Sequence, residues 1–136
     1  MRILVVDDEA PARDRLKRLL REFTEVEVVG EAADGKAALA ATAELQPDLI
    51  LLDIRMPGMD GMEAARHLAT LPQPPRVIFT TAYGEHALEA FEAQAIDYLV
   101  KPVRKERLAQ ALERAAKILT PSADTPPEQQ GPPTLR

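Results

Sequence analysis

Three short runs, ILVV (residues 3–6), LILL (49–52) and VIF (77–79), are continuously apolar, and turn residues or helix-period segments separate them. A strand with one wet face alternates polar and apolar residues, so a strand with no polar position has both faces covered. Strands of that kind belong to parallel sheets, whose crossover helices lie on the two faces. The pattern predicts strands at Arg2 to Val6, Glu27 to Glu31, Asp48 to Asp53, Arg76 to Thr80 and Asp97 to Val100.

Segments of helical period fill the gaps. In the first, Ala12, Leu16, Leu19, Leu20 and Phe23 share one face while Arg13, Lys17, Arg18 and Arg21 take the other. Pro11 falls in its first turn, where a missing N–H costs little. Asp34 reads as the N-cap of a second helix running to about Leu45, which Pro47 stops. A third helix is expected from about Asp60 to Ala69 and a short fourth from Glu85 to Ala93. The fifth carries Leu108, Ala111, Leu112, Ala115 and Leu119 on one face. Five strands and five helices in strict alternation, joined by right-handed crossovers, predict an α/β doubly wound sheet in a three-layer αβα sandwich.

This domain uses residues 1–119. The remaining segment, 120–136, holds five of the chain's 12 prolines and no apolar period, and is read as a disordered linker or tail. With 136 residues, 46% hydrophobic and 29% charged, the chain suits one globular domain. No run approaches the roughly 18 apolar residues of a membrane span, and no signal peptide precedes the first acids, so no membrane partner and a cytoplasmic location are expected. Zero cysteines exclude disulfides and thiolate chemistry. A net charge of -5 argues against nucleic acid bound by this segment.

In an open parallel sheet, ligands bind beyond the carboxyl ends of the strands. Strand one ends in Asp7, Asp8 and Glu9, strand three in Asp53, strand four in Thr80 and Thr81, and strand five in Lys101. Aspartates held this close repel one another unless a cation neutralises them. Hard oxygen donors with incomplete protein coordination suit Mg2+, which takes about six ligands and keeps waters that a phosphate can replace. A carboxylate beside such an ion and a lysine can serve as a phosphoryl nucleophile. The competing reading, that Asp7, Asp8 and Asp53 merely cap helices, is weakest for Asp53, because Pro57 and two glycines intervene before the next helix begins its apolar face. His67 and His86 are read as surface residues, with no metal-ligand spacing around them.

The motifs VVDDE, LLDIRMPGMDG, TTA and DYLVKP, in this order and spacing, resemble the receiver domain of two-component response regulators. The stretch TTAYGEHALEAFEAQAIDYLVKP resembles the LytR/AlgR type, whose receivers precede a LytTR DNA-binding domain. The resemblance implies a flavodoxin-like sheet of order 2-1-3-4-5 and phosphorylation of Asp53 by a sensor histidine kinase. It implies Mg2+ as cofactor, held by Asp8, Asp53 and the backbone carbonyl of Arg55, with Asp7 acting through water. It also implies that Lys101 contacts the phosphoryl group through a loop with a cis bond to Pro102. Thr81 and Tyr98 become the switch pair, and Arg55 and Tyr83 the residues that tune dephosphorylation, where their bulk implies a slow loss of phosphate. The domain would not be an enzyme, beyond its own phosphorylation and autodephosphorylation. DNA would be bound, and transcription controlled, by a C-terminal domain outside this chain. Kinase contacts are expected on the arginines of the first helix. A homodimer is expected on the face of the fourth helix, fifth strand and fifth helix, including Ala87, Leu88, Phe91, Tyr98 and Arg107. The family often has Phe after the Lys-Pro pair, where this chain has Val103.

Four alternatives stand beside this reading. A stand-alone receiver would act by protein contact alone, and a pseudo-receiver would never take phosphate. A phosphatase of similar fold places its nucleophile in an Asp-x-Asp motif after strand one, which Asp-Asp-Glu does not match. A flavin or nucleotide carrier needs a Gly- or Ser/Thr-rich phosphate loop there, and VVDDEAPAR would repel phosphate.

Overall fold

The apolar runs form the centre of one sheet. In the computed structural model, which describes residues 1–82 and 95–119, the strands are β1 (Arg2–Val6), β2 (Glu27–Ala32), β3 (Leu49–Asp53), β4 (Arg76–Thr81) and β5 (Asp97–Val100). They lie in the order β2-β1-β3-β4-β5, and every neighbouring pair is parallel. The doubly wound α/β architecture read from the sequence is therefore the one observed. The helices are α1 (Ala10–Leu20), α2 (Gly35–Leu45), α3 (Gly61–Leu68) and α4 (Lys105–Leu119). The helix expected at 85–93 and the tail at 120–136 lie outside the described residues, as do Tyr83, His86, Ala87, Leu88 and Phe91.

Local chemistry fixes the helix starts. Asp34 accepts from the Ala37 N–H at 2.7 Å, and Asp60 accepts from the Glu63 N–H at 2.9 Å, each satisfying a donor that its helix leaves orphaned. Helix α1 has no side-chain cap at Glu9, and proline occupies its first turn. Asp7 and Asp8 are thus free of the capping duty that was their simplest alternative role, although Asp7 Oδ1 takes the Glu9 N–H at 2.9 Å.

Alternation along the strands divides the core in two. Ile3, Val5, Leu49, Leu51, Ile78 and Leu99 pack with Leu16 and Leu20 of α1 and with Leu108, Ala111, Leu112 and Ala115 of α4. Leu4, Val6, Ile50, Leu52 and Phe79 face the other way, onto Ala38 of α2 and Ala64, Ala65 and Leu68 of α3. Each large buried side chain contributes about 1.5–3 kcal/mol, so both faces of the central strands are rigidly clamped. Side chains two residues apart share a face. Asp7 follows Val5 by two, Asp53 follows Leu51, Thr80 follows Ile78 and Lys101 follows Leu99. All four therefore emerge toward the α1 and α4 side.

One close approach braces the end of β3. Gly61, the first residue of α3, donates its N–H to the Ile54 carbonyl at 2.8 Å. A Cβ on Gly61 would sit 2.8 Å from the Ile54 Cα and also collide with the Asp53 carbonyl. Only glycine permits this helix to begin against the backbone of Asp53 and Ile54.

Candidate functional site

Register brings the strand ends together. Val6 pairs with Leu52 across β1 and β3, and Asp53 pairs with Thr80 across β3 and β4. The next main-chain bonds beyond the strands, Asp7 N–H to the Ala32 carbonyl at 3.1 Å and Lys101 N–H to the Thr81 carbonyl at 2.7 Å, hold Asp7 and Lys101 in line with their strands. One carboxylate oxygen each from Asp7, Asp8 and Asp53 lies within 4.8 Å of the others. Asp7 is fully buried, Asp53 is 3% exposed and Asp8 is open to solvent.

Among the described residues, a single ammonium answers these charges. Lys101 Nζ lies 2.7 Å from Asp7 Oδ2 and 3.3 Å from Asp53 Oδ1. Asp7 Oδ2 nonetheless has no aligned hydrogen-bond donor, so its contact with Lys101 is one of charge and proximity. The Lys101–Pro102 peptide is cis, as the resemblance implied.

Burial pushes the Asp53 carboxyl up from 3.8 to about 7; Lys101 pulls against this shift, while the neighbouring Asp7 and Asp8 add to it. Burial pulls the Lys101 ammonium down, but Asp7 and Asp53 outweigh that effect and leave it raised. A carboxylate poised in this way is only partly ionised at neutral pH without a second cation. Three hard oxygen donors with one lysine, one of them a buried oxygen lacking an aligned partner, fit a divalent ion such as Mg2+. The exposed side at Asp8 leaves room for the waters such an ion keeps.

The other residues expected at the site are placed as follows. Arg55 stands two residues past the end of β3, after Ile54, with its side chain exposed. Thr81 is fully buried at the end of β4, and alternation gives it the face of Phe79, across the sheet from Lys101. Tyr98 is half-buried, pairs in register with Phe79 and packs on the same α2 and α3 side. Thr80 lines a groove with Asp7 and Lys101, and its buried hydroxyl has no hydrogen-bond partner.

Two arginines of α1 also reach the site, beyond the solvated or kinase-facing role that the sequence suggests for them. Arg13 Nη1 donates to the Asp7 carbonyl at 2.7 Å, while its Nε pairs with Glu31 at 2.8 Å. Arg15 donates from Nε and Nη2 to the Val103 carbonyl at 3.1 and 2.7 Å.

The model of the response regulator receiver domain matches residues 3–113, most of the chain. The chain belongs to the receiver-domain family of response regulators. Two curated relatives carry the LytR/AlgR resemblance further. The positive alginate biosynthesis regulatory protein of Pseudomonas aeruginosa is 50% identical over 118 residues, covering 86% of this receiver chain and 48% of that protein. The sensory transduction protein LytT of Bacillus cereus is 41% identical over 131 residues, covering 96% of this chain and 53% of that protein. The receiver chain thus spans about half the length of the curated relatives it matches. Among solved structures, the response regulatory domain of protein mrkE from Klebsiella pneumoniae superposes with a TM-score of 0.80 at 34% identity, covering 88% of this chain and 98% of that one. Among the described residues, no helix is long and apolar enough to cross a membrane.

Proposed function

We propose that Asp53 is the phosphoacceptor of this receiver and that a sensor histidine kinase is its donor. A carboxylate oxygen of Asp53 attacks phosphorus, the new O–P bond forms as the P–N bond of a phosphohistidine breaks, and the departing imidazole nitrogen keeps the electron pair. Lys101 donates to an oxygen of the transferring group and stabilises charge that would otherwise face three carboxylates. Asp8, Asp53 and the Arg55 backbone carbonyl would hold Mg2+, with Asp7 acting through water, and the ion would neutralise the carboxylates and the phosphoryl oxygens.

The aspartyl phosphate adds roughly two negative charges and strong acceptors at the rim of the sheet. Thr81, buried on the Phe79 face before phosphorylation, turns its hydroxyl to the rim to answer them, and Tyr98, on that same face, packs into the space that Thr81 leaves. Arg55 and Tyr83 tune the life of the phosphorylated state and make it long. The signal passes to a C-terminal LytTR domain that binds DNA and controls transcription, and the face containing Tyr98 and Arg107 supports a homodimer. The domain is a signalling acceptor, with no chemistry beyond its own phosphorylation and dephosphorylation.

The observation that carries this reading is the placement of Asp53 at the end of β3, 3.3 Å from the Lys101 ammonium and clustered with Asp7 and Asp8. Incubation with acetyl phosphate and Mg2+ should add about 80 Da to the intact mass, and Asp53→Asn should abolish the gain. No gain in the wild-type chain, or a gain that survives Asp53→Asn, overturns the assignment.

A further inference from the structure

We infer that Arg15 is a positioning residue for Lys101, acting through the main-chain carbonyl of Val103. The inference rests on the reading of Asp53 as phosphoacceptor and names a residue that makes the site competent. Lys101 stands where β5 runs out, and its N–H to Thr81 is the last bond in line with the sheet. Pro102 has no N–H to give, and α4 does not begin until Lys105. The Arg104 carbonyl already takes the Leu108 N–H at 2.9 Å, so Pro102 and Val103 are the residues that must be held by something other than the strand or the helix.

Arg15 supplies that hold from 88 residues away. Two nitrogens of its guanidinium converge on one carbonyl, at 3.1 and 2.7 Å, and a charged donor makes each bond stronger than a neutral one. The planar fork fixes direction as well as distance, which the single ammonium of a lysine cannot do. The Val103 side chain is buried beside Leu16 in the core under α1 and α4. The segment is thus pinned from inside by packing and from outside by Arg15. Asp7, Arg15, Lys101, Pro102 and Val103 all line one groove, so a slip of this segment moves Lys101 relative to Asp7 and Asp53.

Arg13 makes the matching contact on the other side. Positions two apart on a helix point about 200° away from each other, so α1 reaches in both directions at once. One arm holds the Asp7 carbonyl and the other holds the Val103 carbonyl. The two side chains that meet at 2.7 Å, Asp7 and Lys101, are therefore both referenced to the same helix.

The test is a double-mutant cycle on the full chain. Arg15→Met keeps the apolar stem and removes both donors; Arg15→Gln replaces it if the methionine variant lacks a cooperative urea transition. Labelling by acetyl phosphate is timed at saturating Mg2+, and Mg2+ affinity is measured by calorimetry. Arg15→Met should slow labelling about 10- to 100-fold, as expected of small misplacements in a reacting site, and leave Mg2+ affinity within about twofold. In the Lys101→Ala background the same change should have no further effect, because coupled residues are non-additive. Arg15→Lys should not restore the wild-type rate. Labelling of Arg15→Met at the wild-type rate, or an equal slowing with and without Lys101, overturns the positioning role. A wild-type chain that takes no phosphoryl group at all overturns the phosphoacceptor reading instead.

Discussion

Asp53→Asn should make the metal-free protein more stable, and by an amount that depends on pH. The Asp53 carboxyl is raised from 3.8 to about 7, chiefly by burial. Because the folded-state value is the higher one, the group binds its proton more tightly in the fold. Its favourable contribution is complete below the unfolded value of 3.8 and is lost as pH rises toward about 7. At about 1.36 kcal/mol per pH unit, the whole gap is worth about 4 kcal/mol. Part of this is offset because Asn removes one of the two carboxylates beside Lys101, although the shorter contact, to Asp7 at 2.7 Å, persists. The expected gain for Asn is therefore about 2–4 kcal/mol above pH 8, falling toward about 1 kcal/mol near pH 4.5. Urea unfolding of both proteins in EDTA, at several pH values across that window, measures it directly. Saturating Mg2+ should then close the gap, since a ligand at about 100 times its Kd stabilises the wild type by about 2.7 kcal/mol. An Asn variant no more stable than wild type at high pH, or equally favoured at both ends of the window, would show that burial does not strain this carboxyl.

Three further outcomes follow from the packing. Gly61→Ala should destabilise the fold by about 2–4 kcal/mol and slow phosphorylation, because the added methyl strikes the backbone at Asp53 and Ile54; urea midpoints and acetyl phosphate labelling check both, and a neutral result contradicts the close contact. Thr80→Val should be neutral or stabilising by up to about 1 kcal/mol, since it exchanges a buried hydroxyl without a partner for a methyl of similar size; a clear loss in thermal midpoint would reveal a hidden partner. Burial pushes the Asp97 carboxyl up, but its double contact with Arg107, at 3.0 and 2.7 Å, together with the Tyr98 N–H and the nearby Arg114, outweighs this and holds it below the ordinary value of 3.8. That contribution is present above the unfolded value and is lost as pH falls through the folded one. Arg107→Ala should therefore cost about 1–3 kcal/mol at neutral pH, with the difference from wild type shrinking below about pH 4 in acid unfolding.

Most of the site was legible because a parallel sheet converts sequence order into place. Once LILL is recognised as a strand covered on both faces, Asp53 must emerge at its carboxyl edge, and VVDD and LVK deliver Asp7, Asp8 and Lys101 to the same edge. The period of two even sorts them by face. What the sequence did not yield are contacts whose acceptor is main chain. Arg13 and Arg15 bind the carbonyls of Asp7 and Val103, and a carbonyl has no residue type to recognise. The pairing of Asp97 with Arg107 escaped for a related reason. In the sequence Arg107 belongs to an exposed face, while the geometry that turns it back onto β5 depends on where α4 crosses the sheet. Strand ends differ from expectation by single residues: β2 and β4 each run one residue further, and β3 begins at Leu49, where Asp48 instead accepts the Arg2 N–H at 2.8 Å.

The anchor at Val103 separates two tasks that a single side chain usually performs together. Arg15 grips the carbonyl of that residue, a group that all twenty amino acids carry, while the side chain only has to fill apolar space beside Leu16. Residue 103 can therefore change in bulk, so long as it stays apolar, without loosening the grip that locates Lys101. The chemistry of the rim is insulated from repacking of the core beneath it.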